Sequence, residues 1–561
     1  MSDRAGRSPL SAGARVKLQR RRSKEDIMVP SSAYDQLRVK AFPPVRLGSW
    51  HRYRSVSQEF AEMVLKPEAS SIAREPTVRR FAGLFTEVLS HFHVGIELEQ
   101  ILTPTSTRGR KTKIICAIGP ASWSVEMLGT YHNGGAWNED LLPYSPQAGA
   151  AQVTLDWCTY QAGQKLEITT DYGVEGDSSR IACTYEQLPS SVAVGSKILC
   201  DDGSLVMTVL ECQPDSIIVQ VHNDHVLEEK KNMNLPGAAI QIPGITEKDE
   251  DDLLNFAIPQ AVDIVSGSFV RSAANVRAIR ECLGHAGRHI RVHAKIESQE
   301  ALRNIDEIIA EADGIHVSRG DLGMELSPER VFLAQKMIIA KANRAGKPVV
   351  TSTQMLQSMT KKPTPSNAEC TDVANAVLDG TDAMMLSAET AKGLYPKEAV
   401  QTMAKICVEA EATLDYAELY RVSQALNLQH ISMCESVASS AVEIAIDVCA
   451  KLIISFTETG SSTKLLAKYR PEANILAVTA SGSTARQLSG SMVGVESLTL
   501  KAISYGKELG WIANGDVIVL VHGLHDAVAG SSNVVKVIEA NMQGYTSPTN
   551  FHFKGLRMPF S

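Results

Sequence analysis

"IRVHAKIE" (residues 290–297) closes an apolar run on Lys295 and Glu297. After the helical stretch "SQEALRNIDEIIAEA" (298–312), "DGIHVSRGD" (313–321) repeats the pattern and closes on Arg319 and Asp321. Continuously apolar strands separated by helices belong to parallel sheets covered on both faces. The same cadence occurs at "RKTKIICAIGPAS" (110–122), "VDIVSGSFV" (262–270), "PVVTSTQML" (348–356) and "DAMMLSAET" (382–390). Six such strands predict an α/β fold of the TIM-type (β/α)8 barrel kind, with its chemistry at the C-terminal strand ends.

Working outward, residues 161–238 alternate in short strands and turns, "GSKILCDDGSLVMTVLEC" being the clearest, and predict an inserted small β-barrel domain. Beyond about residue 425, "AKLIISFTETGSSTKLLAKYRPEANILAVTA" reads strand, hydroxyl-rich loop, helix, strand, an open α/β domain. The expected organisation is an N-terminal extension at 1–108, largely disordered, a barrel from 109–160 and 239–415, and an inserted β lid at 161–238. A C-terminal α/β domain at 416–545 and a tail at 546–561 complete it.

A chain of 561 residues is too long for one core and suggests several domains. A net charge of -7 with 21% charged and 44% hydrophobic residues argues against nucleic acid as a partner and for small molecules. No apolar run approaches the roughly 20 residues that cross a bilayer, so no membrane association is expected and the cytoplasm is the expected location. The 10 cysteines show no paired or zinc-like spacing and read as reduced thiols. The first 54 residues carry 13 Lys plus Arg against 4 acids, but Asp3, Glu25 and Asp26 interrupt any transit-peptide pattern.

Charges inside apolar runs cost several kcal/mol unless compensated. Strand side chains alternate faces, so Lys295 and Glu297 point the same way, and Asp321 ends a neighbouring strand about 5 Å off. Two carboxylates within reach of one ion suit Mg²⁺ or Mn²⁺, with substrate oxygens completing the shell. A lysine beside such an ion suits phosphoryl transfer or stabilisation of an enolate. Thr353 adds a hydroxyl, and the backbone of Gly320 lies near a helix N-terminus, where anions bind. Singly, each feature has an ordinary explanation: a wet-strand ion pair for Lys295 and Glu297, a helix cap for Asp321. Their recurrence at consecutive strand ends favours the metal site.

With these residues in place, the chain resembles the pyruvate kinases. "VHAKIESQEAL" resembles that family's active-site signature, with His293 where an aliphatic residue is usual. "SRGDLGMELSPERVFLAQKMII", "NRAGKPVVTSTQMLQSM", "TDVANAVLDGTDAMMLSAETAKGLYP", "NLPGAA" and "KIICAIGPAS" are similar to family text. The resemblance implies phosphate transfer from phosphoenolpyruvate to ADP, giving pyruvate and ATP, with Mg²⁺ and K⁺ as cofactors, in a homotetramer. It implies that Lys295 and Thr353 are catalytic, that Glu297 and Asp321 hold Mg²⁺, and that Gly320, Arg319, Thr353 and Ser387 bind substrate. Lys231, in "KKNMNLPG", matches the nucleotide-phosphate lysine on a lid whose closure excludes water; the alternative is a solvated surface lysine. The loop "TETGSST" (457–463) matches a place where many family members bind a sugar-phosphate effector, through Thr457, Thr459, Ser461 and Ser462. An ordinary strand-to-helix turn uses the same residues.

The chain also departs from the family. After "GPASWSVEMLGTYHNGG" the family has two further barrel strands, carrying N-V-A-R-L-N-F-S-H-G and L-D-T-K-G-P-E-I-R. Here "AWNEDLLPYSPQAGAAQVTLDWCTY" (136–160) stands instead, with no arginine. The phosphate-contacting arginines and the usual K⁺ ligands go with those strands, and six strands leave an eight-stranded barrel incomplete. "QVTLDWCTY" could fill one vacant position. The expectation is an impaired pyruvate kinase, the alternative a non-catalytic regulatory subunit that co-assembles with intact paralogues.

Overall fold

The computed structural model describes residues 109–124, 153–154 and 157–540, except for short gaps at 202, 229–230, 239–242, 428–430, 489–494 and 524–531, and positions 101, 105 and 127. Nearly all of the N-terminal extension, residues 136–152 and the tail lie outside the described residues.

The first strand, β1 (Lys113–Cys116), belongs to the barrel, and the chain then enters the inserted domain. There β2 (Val153–Thr154), β4 (Lys165–Thr169), β5 (Arg180–Cys183), β6 (Lys197–Cys200), β7 (Leu205–Cys212), β8 (Ser216–Val221) and β10 (Met233–Asn234) form a seven-stranded sheet in the order β10-β6-β7-β8-β4-β5-β2. A separate ribbon pairs β3 (Trp157–Tyr160) with β9 (His225–Glu228). Alternation along these strands turns Leu166, Ile168, Ile198, Met207, Ile217 and Val219 into one core.

This arrangement corrects the expectation that residues through 160 belong to the barrel. Val153 and Thr154 pair antiparallel with Cys183 and Ala182, and Trp157–Tyr160 pair antiparallel with the β9 strand. Short strands go to whichever edge offers unpaired N–H and C=O groups, and the inserted domain supplies both edges.

The chain returns to the barrel as β11 (Ile264–Gly267), α1 (Ala273–Leu283), β12 (Arg291–Ile296), α2 (Gln299–Arg303), α3 (Ile305–Glu311) and β13 (Gly314–Ser318). It continues through α4 (Arg319–Glu325), α5 (Pro328–Arg344), β14 (Val349–Ser352), α6 (Asn367–Leu378), β15 (Ala383–Leu386) and α7 (Pro396–Glu411). The stretch 298–312 is two helices rather than one, because Asn304 between them takes a non-helical φ of -96° and ψ of 12°, its side chain donating instead to the Arg271 carbonyl at 2.8 Å. Six parallel strands run in the order β1-β15-β14-β13-β12-β11, an incomplete TIM-type barrel. Among the described residues β1 and β11 each have a single neighbour. Val292, Ala294, Ile296, Ile315 and Val317 pack outward onto the helices. The alternate residues, including His293, Lys295 and His316, face inward.

The C-terminal domain holds α8 (Tyr416–Leu426), α9 (Met433–Asp447), β16 (Leu452–Phe456), α10 (Ser461–Lys468), β17 (Asn474–Val478), α11 (Gly482–Leu488), α12 (Val495–Glu508), β18 (Val517–Gly523) and β19 (Ser532–Glu539). Its sheet runs β17-β16-β18-β19, with β19 antiparallel, between two apolar layers. Arg470 pairs with Asp382 at 2.7 Å and Arg486 with Asp263 at 2.6 Å, joining this domain to the N-terminal ends of the barrel strands. No helix among the described residues is long and apolar enough to cross a membrane, and the ten cysteines are free thiols.

Candidate active site

Strand β12 delivers Lys295 and, one residue past its end, Glu297 to the same side. The Lys295 Nζ lies 2.8 Å from Glu297 Oε1. The register pairs Lys295 with His316, so β13 runs directly alongside and brings Asp321, in the first turn of α4, to the same tip. Asp321 lies inside this helix rather than capping it, and Ser318 Oγ donates to its Oδ2 at 3.2 Å.

Glu297 is fully buried; its Oε2 accepts the Phe269 N–H at 2.5 Å, while Oε1 has the ammonium nearby but no aligned hydrogen bond. Burial alone would lower the Lys295 pKa, but the Glu297 carboxylate, helped by Asp321, more than offsets this and raises it. Burial, followed by repulsion from Glu297, pushes Asp321 up to about 7. Two acids and one ammonium in a desolvated pocket leave one negative charge uncompensated.

The residues therefore fit a divalent cation. Among the described residues no three or more His, Cys, Asp or Glu side chains are arranged to hold a metal. A pair of neighbouring carboxylates, with one of them short of a cationic partner, matches the habit of Mg²⁺, which takes one or two carboxylates and fills its shell with water and substrate oxygens.

Thr353 follows β14 with φ 73°, and Gln354 has φ 55°. Consecutive left-handed non-glycine residues are strained, and such strain concentrates at functional sites. Arg319 sustains it: Nη2 donates to the carbonyls of Thr353 at 2.8 Å and Gln354 at 3.2 Å, Nε to Ser352 at 3.3 Å, and Nη1 to Asp372 at 2.8 Å. The guanidinium is thus occupied by backbone and Asp372, where the sequence suggested a substrate contact. Gly320 lies beneath this loop; a Cβ there would stand 2.7 Å from Thr353 Cγ2. Ser387 is half-buried after β15, its N–H donating to Glu389 Oε2 at 2.8 Å.

Sequence reasoning missed Ser268, which accepts from Lys295 Nζ at 3.1 Å, and Phe269, whose N–H holds Glu297 from a left-handed backbone of φ 48°. Both follow β11 in a turn, and only the hydroxyl in "SGSF" hinted at one of them. On the inserted domain, Lys231 pairs with Asp201 at 2.9 Å, and His225 contacts the same carboxylate at 3.0 Å. Burial would raise Asp201, but Lys231 and then His225 hold it below its ordinary range. The domain reaches the site side of the barrel where Gly237 N–H donates to Glu325 Oε2 at 3.3 Å.

Far from these tips, Thr457, Thr459, Ser461 and Ser462 gather at the start of α10. Thr457 Oγ1 accepts from Gly460 N–H at 3.0 Å, and the Thr459 and Ser461 hydroxyls lie 2.9 Å apart.

Comparison with known proteins gives one family for both halves. The family profile for the pyruvate kinase barrel domain matches residues 148–400, and that for the pyruvate kinase alpha/beta domain matches 435–538. A pyruvate kinase of Eimeria tenella is 44% identical over 472 residues, covering 76% of this chain and 89% of that protein. A cytosolic pyruvate kinase isozyme of Glycine max is 43% identical, covering 68% and 82%. A crystal structure of a pyruvate kinase from Cryptosporidium parvum matches with a TM-score of 0.73 at 37% identity, covering 80% of this chain and 100% of that one. Since 472 positions exceed 76% of 561 residues, the Eimeria match leaves several dozen positions without a counterpart here.

Proposed function

This chain belongs to the pyruvate kinase family, and we propose that its barrel site acts on phosphoenolpyruvate and ADP, with strongly reduced turnover. The observation that carries the reading is the buried Lys295–Glu297 pair with Asp321 at the neighbouring strand tip. Lys295 places a fixed positive charge where charge builds on the phosphoryl group and the enolate oxygen, and Ser268 orients its ammonium. Glu297 and Asp321 would hold Mg²⁺, which when bound supplies a Lewis acid for those oxygens. The Gly320 backbone and the Thr353 hydroxyl would hold the substrate, with Arg319 acting through the backbone it braces. Lys231 would meet the nucleotide phosphates once it leaves Asp201, and closure of the inserted domain would exclude water.

Reduced turnover follows from charge. Phosphoenolpyruvate, ADP and two carboxylates concentrate negative charge, while residues 136–160 contribute no arginine and the sequence lacks the family's K⁺ motifs. Loss of a cationic partner in phosphoryl transfer costs on the order of 10³-fold or more. A pyruvate-formation assay with Mg²⁺ and K⁺ tests this on the protein as it stands and on a version carrying the two missing strand motifs. A gain of about 10³-fold on grafting is expected; family-like turnover without the graft would refute the impairment. No turnover in either form, together with co-purification with an intact relative, would favour the non-catalytic subunit.

A further inference from the structure

At the opposite end of the barrel from Lys295, a cleft of about 50 Å³ lies where α10 meets the segments leading into β14 and β15. Two of its cations are already matched. Arg470 pairs with Asp382 at 2.7 Å and also donates to Asn343 and the Gly380 carbonyl, and Lys468 pairs with Glu435 at 2.5 Å. Two are not matched by acids. Lys347 Nζ donates to the Ala312 carbonyl at 2.6 Å, a dipole rather than a charge, and Lys464 makes no ion pair among the described residues. The acids that act on them are Asp313, claimed by Arg280 at 2.9 Å and by Arg291 at 3.6 Å, and, on Lys347, Glu311, claimed by Arg277 at 3.3 Å.

We propose that this cleft binds a phosphate-type oxyanion between Lys464 of the C-terminal domain and Lys347 of the barrel. The volume admits it: about 10–15 Å³ by this measure houses one water, so 50 Å³ takes about three to five water-sized groups, the range of a small oxyanion. Burial, then Arg291 and Lys347, lowers Lys464 to about 8, and burial also lowers Lys347. Both half-desolvated ammonium groups line the same cleft from either side of a domain boundary, and an anion in it would bridge them. The Thr457–Ser462 hydroxyls lie at the N-terminal end of the same helix and form a separate feature.

Thermal denaturation of the full chain, with millimolar inorganic phosphate against chloride of equal ionic strength, tests the assignment. Phosphate should raise the midpoint by about 2 °C. Lys464→Met should abolish the rise and melt higher than the unmodified protein without phosphate, while Lys464→Arg should keep the rise. Ser462→Ala should also keep it. A larger rise with glycerol 3-phosphate would identify an organic phosphate as the source, and an equal or smaller one the free anion. No rise in the unmodified protein, an equal rise in Lys464→Met, or loss in Ser462→Ala alone would overturn the proposal.

Discussion

The tips of β12 and β13 and the outer strands β1 and β11 of the described sheet belong together but differ in what their neighbours supply. At β12 and β13 the charged groups have polar neighbours: Lys295 has Glu297 and Ser268, and Asp321 accepts from Ser318 while its charge stays without a cation of its own. At β1 and β11 the described residues offer one strand neighbour each. Under the proposed function, the difference makes holding a cation and neutralising a phosphate separable tasks. On that reading the first needs two adjacent strand ends, both present, and the second draws on cations whose family motifs are absent from the sequence.

The largest effect should come from breaking the intact side. Lys295→Met removes the ammonium aimed at the reacting oxygens and should lower residual pyruvate formation about 10²–10³-fold, measured in the grafted protein if the natural chain is too slow. Loss of less than threefold would mean that the two regions do not differ in the way described. Next, Gly320→Ala drives a methyl into Thr353, whose strained backbone has little room to yield. Turnover should fall on the order of tenfold to a hundredfold while the melting temperature changes little.

Asp321→Asn sharpens the electrostatic half of the comparison. A carboxyl whose folded pKa is raised from 3.8 to about 7 binds a proton more tightly in the folded state. Its contribution to stability is therefore undiminished below pH 4, declines as pH rises towards 7, and stays low above that. Without divalent cation, Asp321→Asn should melt at the same temperature as the unmodified protein near pH 4 and about 2 °C or more higher above pH 7. The opposite sign would show that Asp321 is stabilised as an anion. The smallest effect belongs to Asp201→Asn, which loosens a partly exposed pair around Lys231. Exposed pairs contribute little, so the KM for ADP should shift by about threefold at most.

Much of the site was legible because its logic is local. Alternation along a strand put Lys295 and Glu297 on one face, and the next strand end supplied Asp321, so the charged cluster followed from spacing alone. For Arg319 a pattern does not say whether a guanidinium faces a ligand or the carbonyls behind it; its bonds go to the carbonyls of Ser352, Thr353 and Gln354. Ser268 and Phe269 were hidden because they act from a turn whose left-handed residue no periodicity announces. Residues 153–160 were misplaced for a related reason. Two short strands carry no signal of which edge they will join, and pairing with β5 and β9 is decided by contacts distant in sequence.

The account stands on Glu297 and Asp321 acting together on one ion beside Lys295. Anomalous diffraction from crystals grown with Mn²⁺ tests this directly: a single peak is expected within about 2.2 Å of a carboxylate oxygen from each residue. A peak that touches only one of them, or none between the tips of β12 and β13, would contradict it.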